Sequence, residues 1–249
     1  MATPDTRPRR RRKVLRPRSV RGIKTYTSEE VYDLLAGFHG SVARPPHADP
    51  TSELVETILS QHTSDTNAER AFAALVDRYP TWQEVTDAPT DELANVIRSG
   101  GLARQKAPRI QATLRSIHAR TGGYDIAFLA TLPMPEAKAW LQRLPGVGPK
   151  TTGIVLSFAM DLPAMAVDTH IHRVTRRLGL IGPKVTAEEA HDVLEPTVAP
   201  ERVMGFHLYL ITHGRQVCKA QRPQCDRCVL APQCPSRPLF ERAAGSRAR

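Results

Sequence analysis

The chain is short of lysine. Of its 35 Lys+Arg residues, only Lys13, Lys24, Lys106, Lys138, Lys150, Lys184 and Lys219 are lysine. Lysine can become a neutral amine nucleophile and arginine cannot, so each of the seven stands out. No apolar run approaches the roughly 18 residues of a membrane span, so no membrane partner is expected. An apolar stretch near the N-terminus is also missing, which predicts no secretory signal. No segment of strand length alternates apolar and polar residues, which removes a sheet from the expected architecture. Cysteine is absent before residue 218, so no disulfide framework can span the chain.

What is present begins with charge. The net charge is +10 over 249 residues. Residues 1–24 hold ten Lys/Arg and one acid, Asp5, which is +9 and leaves about +1 for the rest. This tail has three prolines and no apolar face, so it reads as a disordered basic arm. Such an arm suits polyanions, because phosphate charge attracts it without any sequence readout.

Past the tail, helix follows helix. Thr27-Ser-Glu-Glu30 reads as a capping box. Apolar spacing predicts helices over 50–59, 65–79, 91–99, 102–121, 135–143, 149–158, 168–179, 187–198 and 201–217. Pro and Gly sit in the connections, with Gly100-Gly101 ending one helix. The expected fold class is all-α, with about ten helices. Trp82 and Trp140 read as core residues.

Leu144-Pro-Gly-Val-Gly-Pro-Lys-Thr151 places Lys150 just behind two glycines. A phosphate-binding loop needs four residues between its glycines and a strand before them, and this stretch has neither. It is a tight turn between two helices. Lys150 then lies in the first turn of the second. The positive end of that helix disfavours an ammonium there, and burial would disfavour it further. A poised neutral amine is the expected result.

Sixteen residues beyond Lys150 begins Ala166-Val-Asp-Thr-His-Ile-His-Arg173. Asp168 reads as an N-cap, between a non-helical stretch and a helical one. Capping and chemistry are compatible, since amide hydrogen bonds and the helix dipole keep such a carboxylate ionised. A neutral amine beside a fixed carboxylate suits Schiff-base chemistry.

All four cysteines fall in one short stretch, Cys218, Cys225, Cys228 and Cys234, spaced C-x6-C-x2-C-x5-C. That points to one four-thiolate site. Iron–sulfur and zinc both fit four thiolates, although structural zinc usually shows two short pairs and only Cys225/Cys228 is one. Two disulfides would suit a small secreted scaffold instead. Lys219, Arg222 and Arg227 sit between or beside the ligands, either aimed at phosphate or solvating the loop.

Together these motifs resemble the endonuclease III family of DNA glycosylases. The glycine turn looks like the family's helix-hairpin-helix, Val167-Asp-Thr-His-Ile171 like its aspartate motif, and the cysteine spacing like its [4Fe–4S] signature. The resemblance covers about residues 28–236. It implies a two-domain helix-hairpin-helix DNA glycosylase fold. A six-helix barrel domain is expected at about 49–162. An iron–sulfur cluster domain is expected from 25–48 plus 163–240, with a DNA cleft between them. The implied partner is double-stranded DNA carrying a damaged base or an abasic site, and the implied state is a monomer. The amides around Gly146, Val147 and Gly148 are expected to hold a DNA phosphate.

The resemblance also implies the course of reaction. A damaged pyrimidine flips into a pocket. Lys150 attacks the sugar, Asp168 assists, and the Schiff base allows β-elimination. Gln61 or His62 would fill the gap left by the flipped base, and Leu102, if not a core leucine, would wedge into the stack. His170 joins the expected DNA contacts. His62 and His172 depart from the family pattern, and both are expected to line or approach the pocket. Related mismatch enzymes for thymine, uracil or adenine are the alternative. The adenine enzymes typically lack the lysine and carry a large C-terminal domain, and 15 residues follow Cys234 here. A non-catalytic DNA-binding cluster protein is the remaining reading. A bacterial owner would place the chain on the nucleoid in the cytoplasm, a eukaryotic one in the nucleus or an organelle.

Overall fold

A computed structural model describes residues 24–44 and 48–245, with side chains described to residue 241. All but the last residue of the basic 1–24 arm lies outside the described residues. Among those described there are helices and no strand.

The helices start where the capping chemistry predicts. α1 (Ser28–His39) carries the full capping box, with the Thr27 side chain accepting from Glu30 N and the Glu30 carboxylate from Thr27 N. α2 (Pro50–Ser60) is capped by Asp49, whose carboxylate accepts from the amides of Thr51 and Ser52. α3 (Asp65–Arg78) is capped by Ser64. A short α4 (Trp82–Asp87), capped by Thr81, was not expected, because six residues give too little periodicity to read. α5 (Thr90–Val96), α6 (Ala103–Thr121) and α7 (Met134–Gln142) follow.

α8 (Pro149–Ile154) departs from the expected 149–158 helix. It widens into a π-turn over Val155–Ala159. Gly153 packs against the extended chain that follows, and a Cβ there would lie 2.9 Å from Ala166 Cα and from Met165 O. α9 (Thr169–Leu178) begins at Asp168 as expected. The helix expected over 187–198 shrinks to α10 (Ala190–Leu194) and a 3-10 turn over Glu195–Thr197. Its first residues are spent on a capping turn in which the Glu189 carboxylate accepts from Thr186 N. α11 (Val203–Gln216) and α12 (Arg237–Gly245) complete the order.

Two apolar cores form. One gathers Leu54, Ile58, Leu75, Ile110, Leu114, Leu141 and Leu156 from α2 to the π-turn. The other joins Val31 and Leu35 of α1 to Ile171, Val174, Phe206 and Leu210 of α9 and α11. The first ends at Ala164 and the second begins again at Met165. Lys150 is therefore on the last helix of one core and Asp168 at the first helix of the other. Trp82 and Trp140 are partly buried against the first core. No described helix is long and apolar enough to cross a membrane.

One acid in α2 sets a pH dependence. Burial, with Glu56 one turn on, pushes the Glu53 carboxyl from its ordinary 4.5 up to about 7. The folded chain therefore holds a proton that the unfolded chain releases near pH 4.5. The stability this contributes is fully present below pH 4.5 and is lost as pH rises through about 7. Replacing Glu53 with Gln should make the variant less pH-sensitive than the parent between pH 5 and 8. At pH 8 it should gain on the order of 2 kcal/mol, allowing for the solvent that still reaches the group. Thermal melts of both proteins across that range measure it. Parallel curves would show that Glu53 titrates alike in both states.

Candidate active site

The amine and the carboxylate come from two helix starts on either side of an extended connection, residues 163–167. Three side chains pin that connection. Glu195, paired with Lys138 at 2.6 Å, accepts from Met165 N at 2.9 Å. His191 Nδ1 lies 2.8 Å from Met165 O, and His207 Nδ1 lies 3.0 Å from Ala166 O. Burial lowers the pKa of both histidines, which favours the neutral imidazole in each, and His191 Nδ1 also lies 3.2 Å from Val167 N. The pinned chain then delivers Asp168, whose Oδ1 accepts from Ile171 N at 2.7 Å. No hydrogen bond to Asp168 Oδ2 forms among the described residues, which leaves that oxygen for a substrate.

Lys150 stands in the first turn of α8, beside Gly148 and Pro149, and is exposed. Burial does not add to the effect of the helix end: Lys150 points out of a turn whose next residues, Thr151 and Thr152, are buried. Lys150 and Asp168 are nonetheless both near one buried ring. The charges of both act on the buried ring of His207, with opposite signs. His207 was missed in the sequence. It stands on a helix face that reads as ordinary core, and only its contact with Ala166 O reveals its place.

The hairpin is built as expected, with one addition. Gly146 has φ +75, and a Cβ there would sit 2.3 Å from Arg109 Cδ. Glycine is required both by the backbone and by the Arg109 stem lying across it. Arg109 of α6 then reaches Gln61, donating to its Oε1 at 3.0 Å. Val147 is buried, while Gly146 and Gly148 are exposed.

Two neighbouring loops carry unusual backbones. His62 has φ 56 and is exposed. Leu102 has φ 49 and is 47% exposed, so it is not a core leucine. Left-handed backbone costs a non-glycine residue about 1–2 kcal/mol, and neither side chain recovers it by packing.

Other expected residues fall elsewhere. His170 Nδ1 accepts from Arg173 at 3.2 Å, and its Cβ would lie 2.9 Å from a Cβ placed on Gly214 of α11. His172 Nε2 lies 2.8 Å from Val185 O, so its ring is committed to the 182–185 turn rather than held ready at a pocket. Lys219, Arg222 and Arg227 are exposed and make no ion pair among the described residues.

The four cysteines are free thiols lining one cavity. No three His, Cys, Asp or Glu side chains among the described residues are grouped closely enough to hold a metal ion. Burial pushes the Cys228 thiol up to about 11 and raises Cys225 and Cys234 as well, with the neighbouring sulfurs adding to it. Cations and donors surround the set. Arg177 donates to Cys218 Sγ at 3.3 Å and to Lys219 O at 2.7 Å, and His213 Nε2 lies 3.3 Å from Cys228 Sγ. Crowded, buried thiols with donors on the sulfurs fit a group that would take them as thiolates.

The chain is similar to known proteins over most of its length. The family model for the HhH-GPD superfamily base excision DNA repair proteins matches residues 55–200. Endonuclease III of Thermotoga maritima is 38% identical over 187 residues, 75% of this chain and 83% of the relative. Endonuclease III of Bacillus subtilis is 36% identical over 188 residues, 76% and 82% of the two chains. A solved structure of a trapped endonuclease III–DNA covalent intermediate superposes with TM-score 0.74 at 31% identity, over 87% of this chain and 99% of that one. A thermostable thymine-DNA glycosylase, at TM-score 0.71 and 21% identity, shows the shared fold alone. With the family model over more than half of the chain and these identities over three quarters of it, the chain belongs to the endonuclease III family of the HhH-GPD base excision repair superfamily.

Proposed function

We propose that this chain excises oxidised pyrimidines from duplex DNA and nicks the resulting abasic site, with Lys150 as nucleophile and Asp168 as its charged partner. It is a base excision repair DNA glycosylase and abasic-site lyase. The observation that supports the residue assignment is the pair of helix starts, exposed Lys150 in the first turn of α8 and Asp168 tied to Ile171 N at the start of α9, both near enough to His207 for their charges to act on it. The amine is free to reach a sugar C1′. The carboxylate, with Oδ1 tied to Ile171 N, has Oδ2 free to face the positive charge that develops as the base departs. Lys150 Nζ bonds to C1′ as the C1′–N bond breaks, and the electron pair leaves with the base. The attached amine gives up a proton, the C1′–O4′ bond opens as O4′ takes one, and the Schiff base so formed acidifies C2′, whose proton loss expels the 3′-phosphate.

The DNA-facing surface follows from the same geometry. Gly146 and Gly148 offer backbone amides to a phosphate on the strand being cut, while the Val147 amide between them donates to Leu144 O at 3.2 Å and holds the turn. Leu102 is the wedge. His62, exposed on a left-handed backbone, fills the gap, while Gln61 is held back by Arg109. Lys219, Arg222 and Arg227 extend the positive surface along the cysteine loop. His170 stays in the interface as an anchor for α9 against α11. The chain works as a monomer, since one chain supplies every group named.

The four cysteines suit a [4Fe–4S] cluster, which the C-x6-C-x2-C-x5-C spacing with its single short pair and the donors on the sulfurs support over a zinc ion. When bound, such a cluster supplies a four-point cross-link that keeps residues 218–234 rigid. Arg177 and His213 orient the thiolates from outside. The purified protein should be brown and hold about four irons.

A lesion panel tests the substrate assignment. Single-turnover base release is measured on duplexes with thymine glycol, with thymine opposite guanine, and with adenine opposite 8-oxoguanine. Thymine glycol should leave at least about tenfold faster than either mismatched base, the margin a shaped pocket gives. Faster loss of a mismatched base would transfer the chain to the mismatch class.

A further inference from the structure

Lys106 is a lysine in a chain that has few, and it is 2% exposed. It lies on the buried side of α6. Its Nζ donates to Leu59 O at 2.6 Å and to Gly100 O at 2.8 Å. No carboxylate pairs with it among the described residues. A buried ammonium without a counter-ion is expensive, and methionine would fill the same space without that cost. Packing alone does not explain the residue.

The two carbonyls explain it. Leu59 ends α2 just before the His62 loop. Gly100 stands just before the Leu102 loop. The loops also touch: a Cβ on Gly101 would lie 3.9 Å from Thr63 Oγ1. Each loop ends in an exposed residue with left-handed backbone, His62 at φ 56 and Leu102 at φ 49. Two strained tips therefore stand side by side with one ammonium bridging their bases. The next residue on this part of α6, Arg109, continues the pattern by joining Gln61 to the Gly146 hairpin.

We propose that Lys106 is a positioning residue for base extrusion: it fixes the spacing of the His62 and Leu102 loops so that both tips enter the duplex as one unit. This rests on the reading that those loops enter DNA. Ordering the tips before binding spares the complex the entropy of ordering them afterwards. It also holds the two side chains at the separation that one base pair demands, where small errors cost large factors in rate.

A double-mutant cycle tests it. Lys106→Met, Leu102→Ala and the double variant are compared with the parent by single-turnover base release from a thymine glycol duplex. Each single variant should lose about ten- to a hundredfold. The double variant should be no worse than the poorer single one within about twofold, because Lys106 acts through the loop that Leu102 tips. Nicking of an abasic site in a single-stranded oligonucleotide, which needs no extrusion, should stay near the parent rate in Lys106→Met. Losses that multiply, or a Lys106→Met protein as fast as the parent on the duplex, overturn the inference while leaving the glycosylase reading intact. A parent protein that neither releases base nor nicks overturns the underlying reading first. If Lys106→Met does not fold, Lys106→Gln, which keeps an amide donor for one carbonyl, carries the same cycle.

Discussion

Lys150→Gln should lose the ability to form a borohydride-stabilised adduct with abasic DNA, and strand nicking should fall by about 10³-fold or more. Glutamine keeps most of the length and polarity of the side chain but has no amine lone pair to attack C1′, so covalent capture has no route. The same variant should not be less stable. Lys150 is exposed in the first turn of α8, where the helix end is positive. A cation there is opposed by the dipole, and removing it should gain about 0.3–1 kcal/mol. Catalysis lost with stability slightly gained is the pattern of a group placed for function against local preference. Duplex binding should change by less than tenfold, since the hairpin amides and the basic surface remain. Trapping, nicking and a thermal melt on the two proteins measure all of this. An adduct formed by Lys150→Gln at the parent level would move the nucleophile elsewhere and reduce Lys150 to a phosphate contact.

Much of the fold could be read from local chemistry. The capping box at Thr27, the N-cap at Asp168 and the glycine turn at 146–148 are short-range features, and each formed where its residues predict. The π-turn after Ile154 could not be read, because it arises from a neighbour 12 residues away: the Met165–Ala166 backbone that presses on Gly153. The 187–198 helix fails for a related reason. Its apolar spacing is real, but Thr186 and Glu189 spend the first turn on a cap, and Pro196 ends it. In the site, the residues that do chemistry carried motifs. Those that position them did not. Lys106 and Arg109 are ordinary members of an amphipathic helix until the carbonyls of Leu59 and Gly100 and the side chain of Gln61 are placed beside them. The one available signal was a scarce lysine between Ala103 and Ile110, on an apolar face. The choice between Gln61 and His62 likewise needed backbone angles, since the sequence offers two adjacent polar residues and no way to tell which is held back.

Asp168 holds two roles at one position, and two substitutions separate them. Its Oδ1 caps α9 through Ile171 N at 2.7 Å, and its charge faces the same region as Lys150. Asparagine caps a helix about as well as aspartate, so Asp168→Asn should keep the amide bond and melt within a few degrees of the parent. It has no charge to offer the sugar as the base leaves, and base release should fall by about 10²–10⁴-fold. Nicking of a preformed abasic site should fall less, because the step that most needs the carboxylate has already happened. Asp168→Ala should share the catalytic loss and in addition lose about 1 kcal/mol of stability with the cap. That stability loss should stay local to α9, because His191, His207 and Glu195 hold residues 165–167 of the connection by bonds of their own. An Asp168→Asn protein that releases base at the parent rate would make the residue a cap alone. Lys150 would then work without a charged partner, and the buried imidazole of His207, which both charges reach, would be the next group to replace.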